Sequence, residues 1–302
     1  MTLTALAGRT VRLALPLYLA TLVLGALPTT VAMLGLGLLA GDRPWRGDFL
    51  GPGWLNLTVE VLMTAVQSGG SAGTALIWLA LALLLPLAML AQVAVYSFLA
   101  GGILIGLRAA PLTPAPASAQ ARRAVFLAAC RRWFWPCFRL SLLGTSLVIA
   151  ALLLGAFLAS LVGGLVGPNV AFALQFAVQA LAWGWIEASR AALVTEERRS
   201  VGEALRRGAQ VATRPLSLVA WLLLAVPTSG LLLAAVSPPA IPDPTSVGGL
   251  LTALAFGQVV AYLGAWSKVV RLAVALRLVE RAKVPGPAGA PAAVSRSASR
   301  PA

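Results

Sequence analysis

Long apolar runs separated by short polar connections make up most of the chain. The first run extends from Leu13 to Ala40 and the second from Ala72 to Leu107, where Pro86 marks an expected kink. Four more are expected at Leu140–Val162, Val170–Val194, Leu216–Val236 and Val247–Leu272. Each reaches or approaches the roughly 20 apolar residues that a helix needs to cross a bilayer. The runs are continuous rather than alternating, which predicts helices and argues against barrel strands. The pattern therefore predicts an all-α polytopic membrane protein with six transmembrane helices. Residues 1–283 form a single six-span domain, divided into hairpin units at about 1–108, 119–199 and 200–283. Residues 284–302, rich in Pro, Ala, Gly and Ser, read as a disordered tail.

The polar connections orient these spans. Arg9 and Arg12 precede the first run, which is too long for the apolar core of a signal peptide and reads as a retained span. The connection 41–70 carries Asp42, Arg43, Arg46, Asp48 and Glu60, nearly balanced, so it is expected outside. Within it Phe49–Val66, near Trp45 and Trp54, reads as an outer interfacial helix. Ala109–Ala121 is a Pro/Ala linker and Gly163–Asn169 an outer turn. Thr195–Arg214 is polar, with a capping signal at Ser200 and Glu203. Residues 237–246 form an outer Pro-rich loop, and the chain then ends in a basic helix through Arg277, Arg281 and Lys283. Basic residues thus crowd one side, which predicts cytoplasmic N- and C-termini. The densest stretch is Ala119–Ser141, where Arg122, Arg123, Arg131, Arg132 and Arg139 stand among Phe126, Trp133, Phe134, Trp135 and Phe138. Arginines and Trp at the edge of an apolar run mark a membrane interface on the cytoplasmic side.

Composition sharpens the compartment. Charged residues are only 11% and hydrophobic residues 59%, against about 25% charged in soluble domains. The net charge of +14 would suggest nucleic acid in a soluble protein. Here the arginines flank apolar spans, so the expected partner is a lipid bilayer with anionic lipids on the cytoplasmic side, not nucleic acid. A protein partner and a second copy of the chain are further candidates. Heavy use of Ala, Leu and Arg points to a bacterium with a GC-rich genome and to its cytoplasmic membrane. Cys130 and Cys137 lie about 10 Å apart along a helix, too far for a mutual disulfide, and read as reduced cytoplasm-facing thiols. The chain has no histidine, so the commonest general base and metal ligand is missing.

An internal repeat is visible. Pro16-LYLATLVLGAL-Pro28-Thr29 and Pro215-LSLVAWLLLAV-Pro227-Thr228 are identical at half their positions, and Pro136 opens the corresponding stretch of the middle unit. The returning spans share Gln-x3-aromatic at Gln92/Tyr96, Gln179/Trp183 and Gln258/Tyr262, which places each pair on one helix face. All units have the same orientation, which predicts a parallel repeat about an axis near the membrane normal. With its amphipathic lead-in segment from Gly202 to Leu218 (GEALRRGAQVATRPLSL), the chain resembles a loose group of bacterial six-helix membrane proteins. That group includes the membrane domain found beside glycerophosphodiester phosphodiesterases. The resemblance implies a fold and a compartment. It implies no phosphodiesterase activity, since that chemistry uses histidines and this chain has none.

Ionisable residues inside spans are costly and are candidate sites. Trp185-x-Glu187-x-x-Arg190 and Trp266-x-Lys268-x-x-Arg271 look like counterparts, in a register two residues off that of the Gln motif. One reading is a polar cytoplasm-facing vestibule with Glu187 against Lys268, leaving Arg190 and Arg271 for an anionic ligand. The plainer one is an ion pair between helices with arginines reaching the headgroups. Gln92, Gln179 and Gln258 line a central polar site or bond one helix to another. Gly102 and Gly106 form a GxxxG contact motif. No phosphate-binding loop, HExxH, GxSxG or Cys-based metal spacing occurs, so no catalytic residue, metal or cofactor is expected. The expected function is therefore a non-enzymatic integral membrane protein supporting the envelope or a complex. The alternatives are a transporter or lipid-handling protein with a polar site, and a membrane enzyme on lipid headgroups with Glu187 as acid or base.

Overall fold

The computed structural model describes residues 8–24, 72–108, 119–198, 200–236 and 247–283. Every element among them is a helix: α1 (8–24), α2 (Ala72–Leu107), α3 (Ala119–Val166), α4 (Pro168–Thr195), α5 (Val201–Ala212), α6 (Pro215–Val236) and α7 (Val247–Lys283). The expected outer stretch 41–70, the end of the first run, most of the Pro/Ala linker, the 237–246 loop and the 284–302 tail lie outside the described residues.

Local sequence sets the helix limits. Gly167 takes a positive φ of 93°, and Pro168 then opens α4 at a position where a missing N–H costs nothing. The expected turn at Gly163–Asn169 narrows to that one glycine, because α3 runs on to Val166. The Ser200 side chain accepts from the Glu203 N–H at 3.1 Å, as the Ser-x-x-Glu spacing predicts, and starts α5. Thr213-Arg214-Pro215 then breaks the helix, and α6 leaves at 90° to α5. Pro136 has no such effect. The lead-in stretch from Ala119 and the span expected from Leu140 are one unbroken helix of 48 residues. At 1.5 Å per residue α3 is about 72 Å long, more than twice the roughly 30 Å of a bilayer's hydrocarbon core.

Small residues set the packing. A Cβ on Gly101 would lie 2.7 Å from Trp133 Cβ, and one on Gly102 would lie 2.5 Å from Cys130 Sγ, so α2 and α3 approach at backbone distance. Gly106, the other half of the GxxxG pair, instead faces Leu13 of α1. Gly144 of α3 receives Ile186 of α4, and Gly184 of α4 receives Trp221 of α6. Gly208 of α5 lies directly against Ser189 of α4. Helix α4 is the hub, packed on α2, α3, α5, α6 and α7, and its stretch Ala188–Val194 is buried throughout.

A regular order of contacts follows. The C-terminal part of α2 holds the start of α3 through Gly101 and Gly102. The C-terminal part of α4 holds α5, where Trp185 Nε1 donates to the Leu205 carbonyl at 2.8 Å. The middle of α7 holds α1: Trp266 Nε1 donates to Thr10 Oγ1 at 3.1 Å, and Tyr262 Oη donates to the Val11 carbonyl at 3.0 Å. Tyr18 of α1 also donates to Gln258 Oε1 at 2.7 Å and meets the Tyr262 ring edge-on.

Among the described residues three helices are long and apolar enough to cross a membrane, over Met89–Leu107, Gln120–Leu158 and Ala255–Ala282; counting the bent pair Val201–Ala212 with Pro215–Leu231 as one span makes four. Helix α3 leaves Leu143, Ile149, Leu153, Phe157 and Leu161 exposed along its second half. A contiguous apolar surface of this kind needs a non-aqueous neighbour. Helix α4, expected as a span, is not among the three. It carries Gln175, Gln179, Glu187 and Arg190, and its C-terminal part is wrapped by other helices, while Val170, Ala173 and Leu181 are exposed.

Candidate functional site

The polar residues of α4 gather near its C-terminal end, against α2, α3 and α7. Glu187 and Arg190 are 5% and 7% exposed. Their i,i+3 spacing places both on one face, and Arg190 Nη1 lies 2.9 Å from Glu187 Oε1. Tyr96 of α2 donates its hydroxyl to the same carboxylate, 3.0 Å from Oε1 and 3.3 Å from Oε2. Arg190 Nη2 donates to Ser141 Oγ of α3 at 3.2 Å, and Ser141 is in turn hydrogen-bonded to Ser97 of α2 at 2.8 Å. Three helices thus converge on one buried carboxylate and one buried guanidinium.

The partner of Glu187 is therefore Arg190 of its own helix, not Lys268. Arg190 Cζ lies 4.8 Å and Lys268 Nζ 5.9 Å from the Tyr96 ring centroid. Arg271, one turn beyond Lys268, sets its guanidinium 5.0 Å from the centroid of Trp183, itself one turn before Glu187. Lys268 thus meets an aromatic face where the Glu187 carboxylate was expected, and Arg271, expected free for an anion, also lies over a ring. The Nε atoms of Arg190 and Arg271 are buried without a hydrogen-bond partner. The Gln-x3-aromatic motif supplies both platforms, Tyr96 and Trp183. The motif set these rings on a helix face but gave no sign that cations would cover them. Ser97 and Ser141 carried no signal in the sequence.

Gln258 bonds to Tyr18 at the α1–α7 contact, and Gln92 and Gln179 are half-buried on α2 and α4. Of the expected interface residues, Arg122, Arg123, Arg131, Arg132, Trp135 and Arg139 are exposed on α3. Trp133 is not: it turns inward against Gly101 and is 7% exposed, with the Arg132 guanidinium 5.2 Å from its ring centroid. It shares a face with Cys130, Cys137 and Leu140, all buried, so neither thiol faces water. Both cysteines are free.

A second polar feature lies where α2, α4 and α7 end. Arg108, Thr195, Glu196, Glu197, Arg198, Arg207 and Ala282 line an open basin of about 690 Å³. Glu196 is clamped by Arg198 Nη2 at 2.7 Å and Arg207 Nε at 3.0 Å. Partial burial raises its carboxyl, but hydrogen bonds from Arg198 and Arg207 outweigh that and hold it below the ordinary glutamate value. Arg207 Nη2 also donates to the Ala282 carbonyl at 3.4 Å, where a cation suits the exposed carbonyls of a helix end. Glu197 has a positive φ of 50°, and the Arg198 N–H reaches the Leu193 carbonyl at 3.2 Å in a Schellman-type end to α4. No group of three or more metal-ligating side chains occurs among the described residues.

No protein family, curated protein sequence or solved structure matches the chain.

Proposed function

We propose that the chain is a multi-pass integral protein of a bacterial cytoplasmic membrane, with six spans in three parallel hairpins and cytoplasmic termini, which acts by binding rather than by catalysis. The observation that supports this best is the order of helix contacts. The returning helix of each unit holds the lead-in helix of the next: α2 holds α3, α4 holds α5, and α7 holds α1. Three equivalent hairpins arranged around one axis would generate such a cycle. In this reading α4 is a protein-lined span, and its polar residues avoid the cost of facing lipid. The architecture is that of the six-helix group which the lead-in segment resembles. Glu187 ties α2 to α4 through its contacts with Arg190 and Tyr96, which suits a structural or binding role.

Reporter fusions after Asp48, Leu112, Gly167, Arg199, Pro242 and Ala290 test this. A phosphatase active only outside the cytoplasm is expected to work at Asp48, Gly167 and Pro242, and a fluorescent protein that folds inside at the other three. Cytoplasmic signal at Gly167 or Pro242 would leave fewer than six spans and reject the three-hairpin arrangement.

A second reading, a lipid-handling protein, is favoured by one observation: cations outnumber acids in the cluster around Glu187, and two of them, half-buried, meet aromatic rings rather than carboxylates.

A further inference from the structure

We infer that Lys268, Arg271 and Arg190 form a binding site for a phosphate group, borne by an anionic phospholipid or free in solution. This deepens the lipid-handling reading and rests on it. Within the cluster the ionisable groups are three cations and Glu187, whose carboxylate is taken by Arg190 and Tyr96. Two positive charges remain, and a phosphate group carries one or two negative charges to meet them. Lys268 and Arg271 are half-buried, and cations partly withdrawn from water without a counter-charge are unfavourable, so this arrangement suits an anion.

The geometry specifies the ligand further. Lys268 and Arg271, three residues apart on α7, reach Tyr96 of α2 and Trp183 of α4. Their side chains rest on the Tyr96 and Trp183 rings. A guanidinium over a ring keeps its N–H edge open, and that planar fork matches two phosphate oxygens while an ammonium contributes a point charge. The buried Nε atoms of Arg190 and Arg271 supply donors that no group among the described residues uses.

Depth agrees with a headgroup. Ser141, bonded to Arg190, is two residues from Arg139, about 3 Å along α3. Arg139 and Trp135 are exposed on the outer side of the same helix, as residues at a lipid–water boundary are. The cluster therefore lies inside the bundle at the level where inner-leaflet phosphates sit.

The test uses the full-length protein in a neutral detergent. Thermal unfolding and native mass spectrometry are run with added phosphatidylglycerol, phosphatidylcholine or inorganic phosphate. Phosphatidylglycerol is expected to bind and raise the unfolding midpoint more than phosphatidylcholine does. A further response to inorganic phosphate alone identifies free anion as a ligand; its absence identifies the lipid. Lys268→Gln with Arg271→Gln is expected to weaken the binding about tenfold, the scale of losing charge-assisted contacts, whereas Arg139→Gln on the outer face leaves it within about twofold. Binding unchanged in the double variant, or lost in Arg139→Gln, overturns the site. So does a wild-type protein indifferent to both phosphatidylglycerol and phosphate, a result that stands even if the double variant fails to fold. The fusion reporters read the span arrangement separately, so a six-span protein that binds no phosphate rejects this site alone.

Discussion

The buried pair on α4 is the residue on which most depends. Glu187→Gln leaves Arg190 buried with no counter-charge, and breaking such a pair from one side costs about 3–5 kcal/mol. Tyr96→Phe removes one hydrogen bond to the carboxylate and should cost about 1–2 kcal/mol. Unfolding in mixed micelles should reproduce that order; a Glu187→Gln loss no larger than that of Tyr96→Phe would mean the pair is hydrated rather than buried. Glu196 gives a pH dependence. Its carboxyl is held below the ordinary value in the folded chain, so its contribution is complete above the unfolded glutamate value of about 4.3 and fades as pH falls through the folded one. Unfolding of Glu196→Gln should therefore vary less with pH than wild type across that acid range. An identical pH profile in the two proteins would remove Glu196 from the account. The exposed Arg132–Glu197 contact at 3.3 Å is about two-thirds solvent-accessible on each side and should contribute little.

Among the elements, the close approach of α2 and α3 makes a sharp prediction. Gly102→Val would drive a branched side chain into Cys130 and Phe126, with a cost of about 1–3 kcal/mol or more from overpacking. Gly202→Val on the open face of α5 meets nothing within 4 Å and should be mild by comparison. Equal losses at the two positions would contradict the packing. These contacts also show what the sequence revealed. Continuous apolar runs located α2, α4, α6 and α7 closely, and Ser200 with Glu203 located the start of α5. Prolines were harder to read. Pro215 ends one helix and starts another, while Pro136 lies inside α3, since helix continuity depends on neighbours able to cover the freed carbonyl as well as on the ring. Trp133 was misread for a related reason. A Trp among arginines fits an interface, and only the glycine opposite, on another helix, turns it inward. In the candidate site Glu187, Arg190, Lys268 and Arg271 do come together, but the pairing did not follow from spacing. It depends on Tyr96, which reaches the cluster from α2, 91 residues away in sequence.

For the whole molecule, the proposed three-hairpin arrangement would have each lead-in helix held by the returning helix of the previous unit, as the contacts of α2 with α3, α4 with α5 and α7 with α1 suggest. The contact that closes the cycle, α7 on α1, joins residues about 250 apart and is the strongest constraint on the arrangement. Cross-linking tests it most directly. Tyr18→Cys with Gln258→Cys, treated with a short bis-maleimide in intact membranes, probes a pair that lies in hydrogen-bond contact in the wild type, while the native Cys130 and Cys137 stay buried. Efficient cross-linking within one chain, comparable to a Trp185→Cys with Leu205→Cys pair across α4 and α5, is the expected result. Linkage of the second pair without the first would mean that α1 does not return to α7, and the closed three-hairpin arrangement would be wrong.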